Sequence, residues 1–214
     1  MMLTGRMFRN QHMKRLAFIL GCGLWAGTLL AEDAPKTDAP KVESAAETKI
    51  IDAGALKLTV PTTWKPQPAS NNLRLAQFAI SAVEGDSEGG ELVVFPPFGG
   101  SREANISRWI EQFEGEGRQV AMTQGTCPQG EYVLVDISGT YKKPIGPPIA
   151  RKSTAAPGYR MLAVMLTVKD EKEGGNYFLK LTAPEKTTAA NEVAVRNAIA
   201  ADKAKETKYE FPAN

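Results

Sequence analysis

A long apolar segment, a charged turn and a second apolar segment follow one another directly, and this succession constrains the fold more than any other feature. Tyr159 to Lys169 (YRMLAVMLTVK) predicts a long central strand, and Tyr177 to Leu181 (YFLKL) predicts its return strand. The residues between them, DEKEGGN, have the charge and glycine content of a hairpin turn. Strands joined by a hairpin pair antiparallel, so the chain is expected to build an antiparallel sheet.

One segment has a clear helical period. From Ser101 to Glu114 the apolar residues fall at i, i+3, i+4 and i+7, and they are Ile106, Trp109, Ile110 and Phe113. Ser101 suits the N-cap and Gly115 suits the end of this helix. We interpret the apolar stripe as a packing face, because each of these side chains gains about 1.5–3 kcal/mol on burial.

Shorter segments complete the predicted fold. Leu56 to Val60 and Glu91 to Phe95 predict strands, and Glu131 to Lys142 predicts a strand with Val133 and Val135 on its buried face. Pro184 to about Ala201 is rich in alanine and predicts a second helix. The expected fold class is α+β: an antiparallel β-sheet packed by two main helices in a single domain, residues 49–214.

The N-terminal segment is typical of a secretory signal peptide. Lys14 and Arg15 precede fifteen uncharged, mostly apolar residues, and Ala31 then offers a small residue for cleavage. Residues 1–31 are therefore predicted to be removed on export, with residues 32–48 as a flexible Ala/Pro/charged linker. Two alternatives remain open: Cys22 is lipidated and anchors a lipoprotein, or translation starts at Met13.

Removal of the signal changes the charge and the chemistry of the chain. The segment contains four basic residues and no acid, so the chain falls from 26 to 22 basic residues against 24 acidic ones, a net charge of −2. This balance argues against nucleic acid as a partner. The single histidine, His12, is lost as well, which excludes Ser-His and Cys-His catalysis and the common histidine metal sites. We expect no metal and no cofactor, and Cys127 is interpreted as a partly buried thiol without a disulfide.

A proline-rich segment, Lys142 to Tyr159, is predicted to be a long loop. Between Ile137 and Lys169 the sequence has basic residues and no acid, which makes the loop a candidate docking site for an acidic partner. The alternative is a loop that is only solvated. The candidate binding residues are Lys142, Lys143, Arg151, Lys152 and Arg160.

Two further positions are candidates for chemistry. Gly99, Gly100 and Ser101 precede the predicted helix, where free backbone N–H groups would hold an anion; the alternative is a turn in which Ser101 only caps the helix. Asp136 lies within a strand and is either an acid with a raised pKa or the partner of a cross-strand cation, Arg160 or Lys180.

Several motifs resemble a family of exported bacterial proteins of unknown function. They lie between Leu58 and Ala201 and read ELVVF, FGGS, NISRWIEQF, VDISGTY, GYRML and YFLKLTAPEKT. This resemblance implies no activity. More loosely, Val60-Pro61 followed by Trp64-Lys65 is similar to the opening of PsbP-like domains. That resemblance implies an α/β/α sandwich of the kind that mostly serves in protein binding or assembly.

The sequence favours a non-enzymatic envelope module that binds a protein or an anionic envelope polymer. It is expected to be a periplasmic or secreted monomer without a membrane span after signal cleavage. Two alternatives stay open: an enzyme that uses carboxylate or lysine chemistry, and a carrier with a small apolar cavity under the helix at Ile106 to Phe113.

Overall fold

The structure is a computed structural model that describes residues 47–146, 150 and 152–211. The predicted signal peptide, most of the linker, Cys22 and Arg151 lie outside the described residues. Those described belong to one compact unit of the chain, Ser44–Asn214. Its strands are β1 Thr48–Ala53, β2 Leu56–Pro61, β3 Lys65–Pro66, β4 Ala76–Ile80, β5 Gly90–Phe95, β6 Gln119–Cys127, β7 Gly130–Ile145, β8 Lys152–Val168, β9 Gly175–Pro184 and β10 Thr207–Lys208. Its helices are α1 Arg102–Ile110, α2 Glu185–Ala190 and α3 Glu192–Ala198.

Eight of the strands form one antiparallel sheet in the order β10-β6-β7-β8-β9-β5-β4-β3, and β1 and β2 form a separate hairpin. The predicted hairpin is β8 and β9, which pair antiparallel from Tyr159↔Pro184 to Val168↔Gly175. In its turn the Asp170 carboxylate accepts hydrogen bonds from the backbone N–H groups of Lys172 and Glu173, at 2.9 and 2.8 Å. The antiparallel sheet and the mixed α+β class are thus confirmed.

Both faces of the central strands are covered. On one face Val133 and Val135 pack with α1, whereas on the other Tyr132 and Leu134 pack with the β1–β2 hairpin and α3. A strand buried on both sides needs apolar residues at every position and not at every second one. This explains why β8, at the centre, has a continuous apolar run.

Helix α1 forms where predicted but ends at Ile110, before the predicted end at Glu114. Ser101 is the N-cap: its Oγ accepts a hydrogen bond from the Ala104 N–H at 3.1 Å. Phe113 lies beyond the helix, yet it is fully buried and belongs to the same core cluster as Ile106 and Trp109. The predicted packing face is therefore confirmed although its last member is not helical.

The segment predicted as a second main helix is helical, but it does not form one continuous helix. The segment divides at Asn191 into α2 and α3, of six and seven residues. The Asn191 side chain accepts a hydrogen bond from the Trp64 indole N–H at 2.7 Å and donates one to the Thr187 carbonyl oxygen at 2.8 Å. Such side-chain bonds compete with the regular backbone bonds of a helix. The protein is consequently richer in sheet than predicted, and within the described part of the chain no helix is long and apolar enough to cross a membrane.

The prediction of a long loop from Lys142 to Tyr159 is wrong, because strands β7 and β8 continue through most of it. They pair from Tyr141↔Ala156 to Ile145↔Lys152, after an irregularity between Gly139 and Tyr141. We call this projecting ribbon, residues 141–145 and 152–158, the arm. On β7 the pairing with β6 extends only as far as Ser138, and on β8 the pairing with β9 begins at Tyr159. Beyond a single bridge between Tyr141 and Phe113 at its base, each strand of the arm is therefore paired on one side only. Proline is tolerated in such edge positions, which is where Pro144 and Pro157 lie.

Candidate binding cleft

The arm forms one wall of an open cleft. The segment before β4 and the residues that follow α1 form the rest of it. We call this the outer cleft; it has a volume of about 740 Å³. The residues that line it include Arg74, Glu111, Gln112, Lys142, Ile145 and Lys152.

A second, smaller cavity continues from the outer cleft toward the sheet. This inner cavity has a volume of about 410 Å³ and shares Arg74, Gln112 and Pro144 with the outer cleft. It is defined by Arg74, Glu91, Gln112, Tyr141, Lys180 and Thr182, and Lys143 and Tyr159 also line it.

The sheet places Lys180 and Thr182 in the inner cavity. Alternate residues of a strand point to the same face, and Phe178, two residues before Lys180, packs in the core cluster of α1. Lys180 and Thr182 therefore lie on the α1 face of β9. The register of the neighbouring strand sets Glu91 opposite Thr182. The Lys180 ammonium group donates a hydrogen bond to the side-chain oxygen of Gln112, at 3.0 Å.

Two of the three cations of the inner cavity have carboxylate partners. A guanidinium N–H of Arg74 contacts a Glu91 carboxylate oxygen at 3.1 Å. Lys143 contacts Glu88 at 2.5 Å, and the Tyr159 hydroxyl donates to the same carboxylate at 2.6 Å. Hydrogen bonds from Lys143 and Tyr159 accordingly lower the pKa of Glu88.

Lys180 differs because its hydrogen-bond partner is a neutral amide. Burial disfavours the charged ammonium form and lowers its pKa to about 8; the nearby Glu91 opposes this shift and Arg74 adds to it. Two more polar atoms of the cavity residues lack partners: Arg74 Nε and Thr182 Oγ1 are buried and make no hydrogen bond to any residue that the structure describes. The cavity thus combines an uncompensated cation with a free donor and a free hydroxyl.

The cations of the outer cleft are more accessible. Lys142 is exposed, and its ammonium group donates to the backbone oxygen of Glu111 at 3.1 Å, a contact that leaves its charge unneutralised. Lys152 is exposed on the opposite strand of the arm. Beside them Ile145 is 50% exposed, so the arm presents both positive charge and apolar surface.

The structure brings together only part of the predicted basic site. Lys142 and Lys152 line the outer cleft, and Lys143 is held by Glu88. Arg160 lies on the other face of the sheet, where it pairs with Asp136 at 2.6 Å and with Glu192 at 2.9 Å. A binding role for the basic residues of the arm stays a prediction.

Asp136 is paired as expected, since Arg160 is one of its two predicted partners. Lys180, the other, lies on the opposite face of the sheet. A deep polar cavity containing Asp136 with a lysine or a second acid would favour an enzyme, and the lysine-containing cavity lies on the face away from Asp136.

The first turn of α1 already contains a carboxylate, that of Glu103. Besides the Ser101 cap, the Asn105 side chain donates to the Ser101 carbonyl oxygen at 2.9 Å. Hydrogen bonds from its own backbone N–H and from the Ser101 hydroxyl lower the pKa of Glu103, which keeps a carboxylate at the helix N-terminus. These contacts support the cap, and an anion site at Gly99, Gly100 and Ser101 stays a prediction.

The remaining candidates lie elsewhere. Beside α1 a cavity of about 220 Å³ lies among Phe95, Phe98, Trp109 and Phe178; ligand sites usually exceed about 300 Å³. Cys127 is a free, half-buried thiol. Over the described ranges no group of three or more His, Cys, Asp or Glu side chains is placed to hold a metal ion.

Sequence reasoning missed Arg74, Gln112 and the true position of Lys180. For Lys180 a signal existed: in YFLKL a lysine interrupts a strand that is otherwise apolar on both faces. For Arg74 and Gln112 there was none, because both approach the cavity from irregular segments whose path follows from the tertiary fold.

The fold and the cleft together define a class: an α+β protein whose antiparallel sheet has an open, positively charged cleft beside a projecting β-ribbon. No family model matches the chain, and no curated protein matches it. Among solved structures the chain is similar to the solution structure of cyanobacterial PsbP (CyanoP) from Synechocystis sp. PCC 6803, at 11% identity and a TM-score of 0.41, over 82% of this chain and 100% of that one. A likeness of this degree does not bear on function.

Proposed function

We propose that this protein is an exported, non-enzymatic binding module that holds an acidic segment of a protein partner in the outer cleft. The observation that carries the proposal is the placement of three cations, Arg74, Lys142 and Lys152, around one open cleft of about 740 Å³. Glu111 also lines the cleft and Arg74 is paired with Glu91, so the excess positive charge comes from Lys142 and Lys152. Such an excess of positive charge in a cleft attracts an acidic partner.

The surface of the cleft favours a protein segment over an anionic polysaccharide. Pro144 and Ile145 contribute apolar surface to the wall that also carries Lys142. An acidic peptide with apolar side chains would cover this surface and meet the cations at once, whereas a sugar polymer offers only the charge.

The architecture supports the same proposal. Coverage of one sheet face by α1 and of the other by α3 and the β1–β2 hairpin is compatible with a PsbP-like α/β/α sandwich. Export, signal cleavage after Ala31 and membership of the exported bacterial family stay part of the proposal, resting on the sequence alone.

The test measures binding of a fluorescent peptide of alternating glutamate and leucine by anisotropy. Changing Lys142 and Lys152 together to serine should weaken binding about tenfold, because two accessible ionic contacts of about 0.7 kcal/mol each are lost. Lys143 is left unchanged because its partner is Glu88. The matched control changes Lys169 and Lys208 to serine; these are about 80% exposed, pair with Glu131 and Glu210 and lie outside the cleft.

Three results would contradict the proposal. They are equal binding by the cleft variant and the wild-type chain, an equal loss in the control variant, and equal binding of a peptide with glutamine in place of glutamate. Alginate, a carboxylated polysaccharide, serves as competitor. If it displaces the peptide as well as unlabelled peptide does, the partner is an anionic polymer and the protein-segment proposal is wrong.

A further inference from the structure

The inner cavity contains polar groups without partners that have no role in the binding proposed for the outer cleft. We propose that it binds one carboxylate group, held by the Lys180 ammonium, the Thr182 hydroxyl and Arg74 Nε. This site goes beyond the outer cleft, and its existence does not depend on the acidic segment proposed above.

The charge of the cavity sets the charge of the ligand. Arg74 is paired with Glu91 and Lys143 with Glu88, so each of these cations is matched by one carboxylate. Lys180 has only the Gln112 amide oxygen at 3.0 Å. The Lys180 charge is therefore best balanced by a ligand with a single negative charge. The Glu91 carboxylate, which lines the same cavity, disfavours a dianion such as phosphate.

The hydrogen-bonding capacity fits a carboxylate as well. Each carboxylate oxygen accepts about two hydrogen bonds. The Lys180 ammonium has three donors, of which Gln112 takes one. Thr182 Oγ1 and Arg74 Nε are buried without partners among the described residues, an arrangement that buried polar groups rarely keep in the absence of a ligand or water.

The carboxylate has two possible sources, a free small acid or a side chain of a bound acidic segment. The inner cavity and the outer cleft share Arg74, Gln112 and Pro144, so one segment can reach both. The shared chemistry is the carboxylate, and the sources are separated by experiment.

The test titrates the isotope-labelled full chain with sodium acetate, with sodium chloride as the control for ionic strength, and follows backbone amide shifts by NMR. Saturable shifts at Lys180 and Thr182 with acetate alone are expected, and Lys180→Met should abolish them. Thr182→Val should weaken acetate binding several-fold. The control Lys169→Met, at an exposed position outside the cavity, should leave it unchanged.

A pH series gives a second readout. With a pKa of about 8, Lys180 loses its charge between pH 7 and pH 9, so the acetate Kd should rise about tenfold over that range. The other titratable or charged groups of the cavity are Arg74, Glu91, Tyr141, Lys143 and Tyr159. Burial raises the pKa of Tyr141 to about 12, and the pKa values of Tyr159 and Lys143 are raised as well, so these three do not change charge there.

Absence of saturable acetate shifts, or shifts that survive Lys180→Met, would overturn the carboxylate site. Acetate binding combined with no binding of the glutamate–leucine peptide supports the site with a free acid as ligand and refutes only the proposed function. Competition between acetate and a peptide that binds at least tenfold more tightly supports the site with a peptide carboxylate. If acetate does not bind and Lys180→Met leaves peptide binding unchanged, the carboxylate site is refuted and the proposed function is retained.

Discussion

At the scale of single residues, Lys180 stands out because its charge is unfavourable for folding. Its ammonium group lies in the inner cavity with a neutral partner, Gln112, and burial lowers its pKa to about 8, below the ordinary value of a lysine. A group placed at an energetic disadvantage is more readily explained by a ligand than by stability.

Lys180→Met should therefore stabilise the protein at pH 7. The folded chain binds the lysine proton with a pKa of about 8 and the unfolded chain with a pKa of about 10.4, so wild-type stability rises with pH between these values. Below pH 8 the folded protein bears the full cost of burying the charged Lys180 ammonium group. Allowing for solvent screening, the Lys180→Met substitution removes this cost and should raise the free energy of unfolding by about 1–2 kcal/mol. Urea denaturation at pH 7 and pH 10 measures this, with a smaller gain at pH 10. A variant less stable than wild type at pH 7 would show that Glu91 compensates the charge.

At the scale of secondary-structure elements, the N-terminus of α1 is stabilised by the side chain of one residue, the N-cap Ser101. Ser101→Ala removes the hydroxyl that accepts from the Ala104 N–H and should lower the free energy of unfolding by about 1 kcal/mol. Ser101→Gly is the comparison, since glycine at an N-cap costs only a few tenths of a kcal/mol. Thermal denaturation of the three proteins separates the two effects, and equal melting temperatures for wild type and Ser101→Ala would exclude the cap.

The last turn-and-strand segment, Lys203 to Lys208, is attached to the sheet by a buried ion pair. Arg196 and Glu206 are in contact at 2.8 Å with side chains 8% and 4% exposed, and Glu206 also accepts hydrogen bonds from Thr123 and Tyr132. Burial alone would raise the pKa of Glu206, but the hydrogen bonds from Arg196, Thr123 and Tyr132 outweigh this effect and lower the pKa.

Arg196→Met should lower the free energy of unfolding by about 3 kcal/mol at pH 7, because it leaves the Glu206 carboxylate buried without its cation. The deficit should be smaller at pH 4 than at pH 7, because burial without the Arg196 cation raises the pKa of Glu206, and protonation then removes the uncompensated charge. Urea denaturation at both pH values is the measurement. Lys208→Met is the control, since its pair with Glu210 is 80% and 71% exposed and should change stability by less than about 0.5 kcal/mol.

Elements were predictable from sequence where periodicity and burial coincide. The β8–β9 hairpin, the α1 stripe and the alternation in β7 all follow from apolar spacing. The arm was mistaken for a loop because proline usually excludes a strand, and only the sheet order shows that β7 is an edge strand beyond Ser138. The division at Asn191 depends on Trp64, 127 residues away, a contact that local sequence does not contain.

Of the two cavities, only the outer cleft could be predicted in part from the sequence, because the inner cavity depends on contacts between distant segments. Lys142 and Lys152 are recognisable in the sequence as cations of a segment without acidic residues, and they do line the outer cleft. The inner cavity combines residues from the segment before β4, from β5, from the segment after α1 and from strands β7, β8 and β9. Strand register turns Lys180 away from Asp136 and toward Gln112, and the irregular segments that contain Arg74 and Gln112 complete the cavity.

At the scale of the whole molecule, charge is unevenly distributed. Without residues 1–31 the chain has 22 basic and 24 acidic residues, so it is slightly negative while its cleft is positive. The rest of the protein surface would weakly repel an acidic partner, whereas the outer cleft would attract it. This difference restricts where the partner docks. The sequence pI of about 8.5 therefore depends on the four basic residues within residues 1–31 and does not describe the binding surface.

The processed protein should consequently focus at an acidic pH, although the full chain has a pI of 8.5. Expressed in a Gram-negative host, the exported form is expected to begin at Glu32, as intact mass and isoelectric focusing would show. Ala31→Phe is the first control: a bulky residue at the cleavage position should leave the basic precursor. Cys22→Ala is the second: it should leave processing unchanged if cleavage follows Ala31 and should block it if Cys22 is lipidated. A mature form that retains Arg6, Arg9, Lys14 and Arg15 would keep its basic pI, and both the signal peptide and the export on which the proposed function rests would then be wrong.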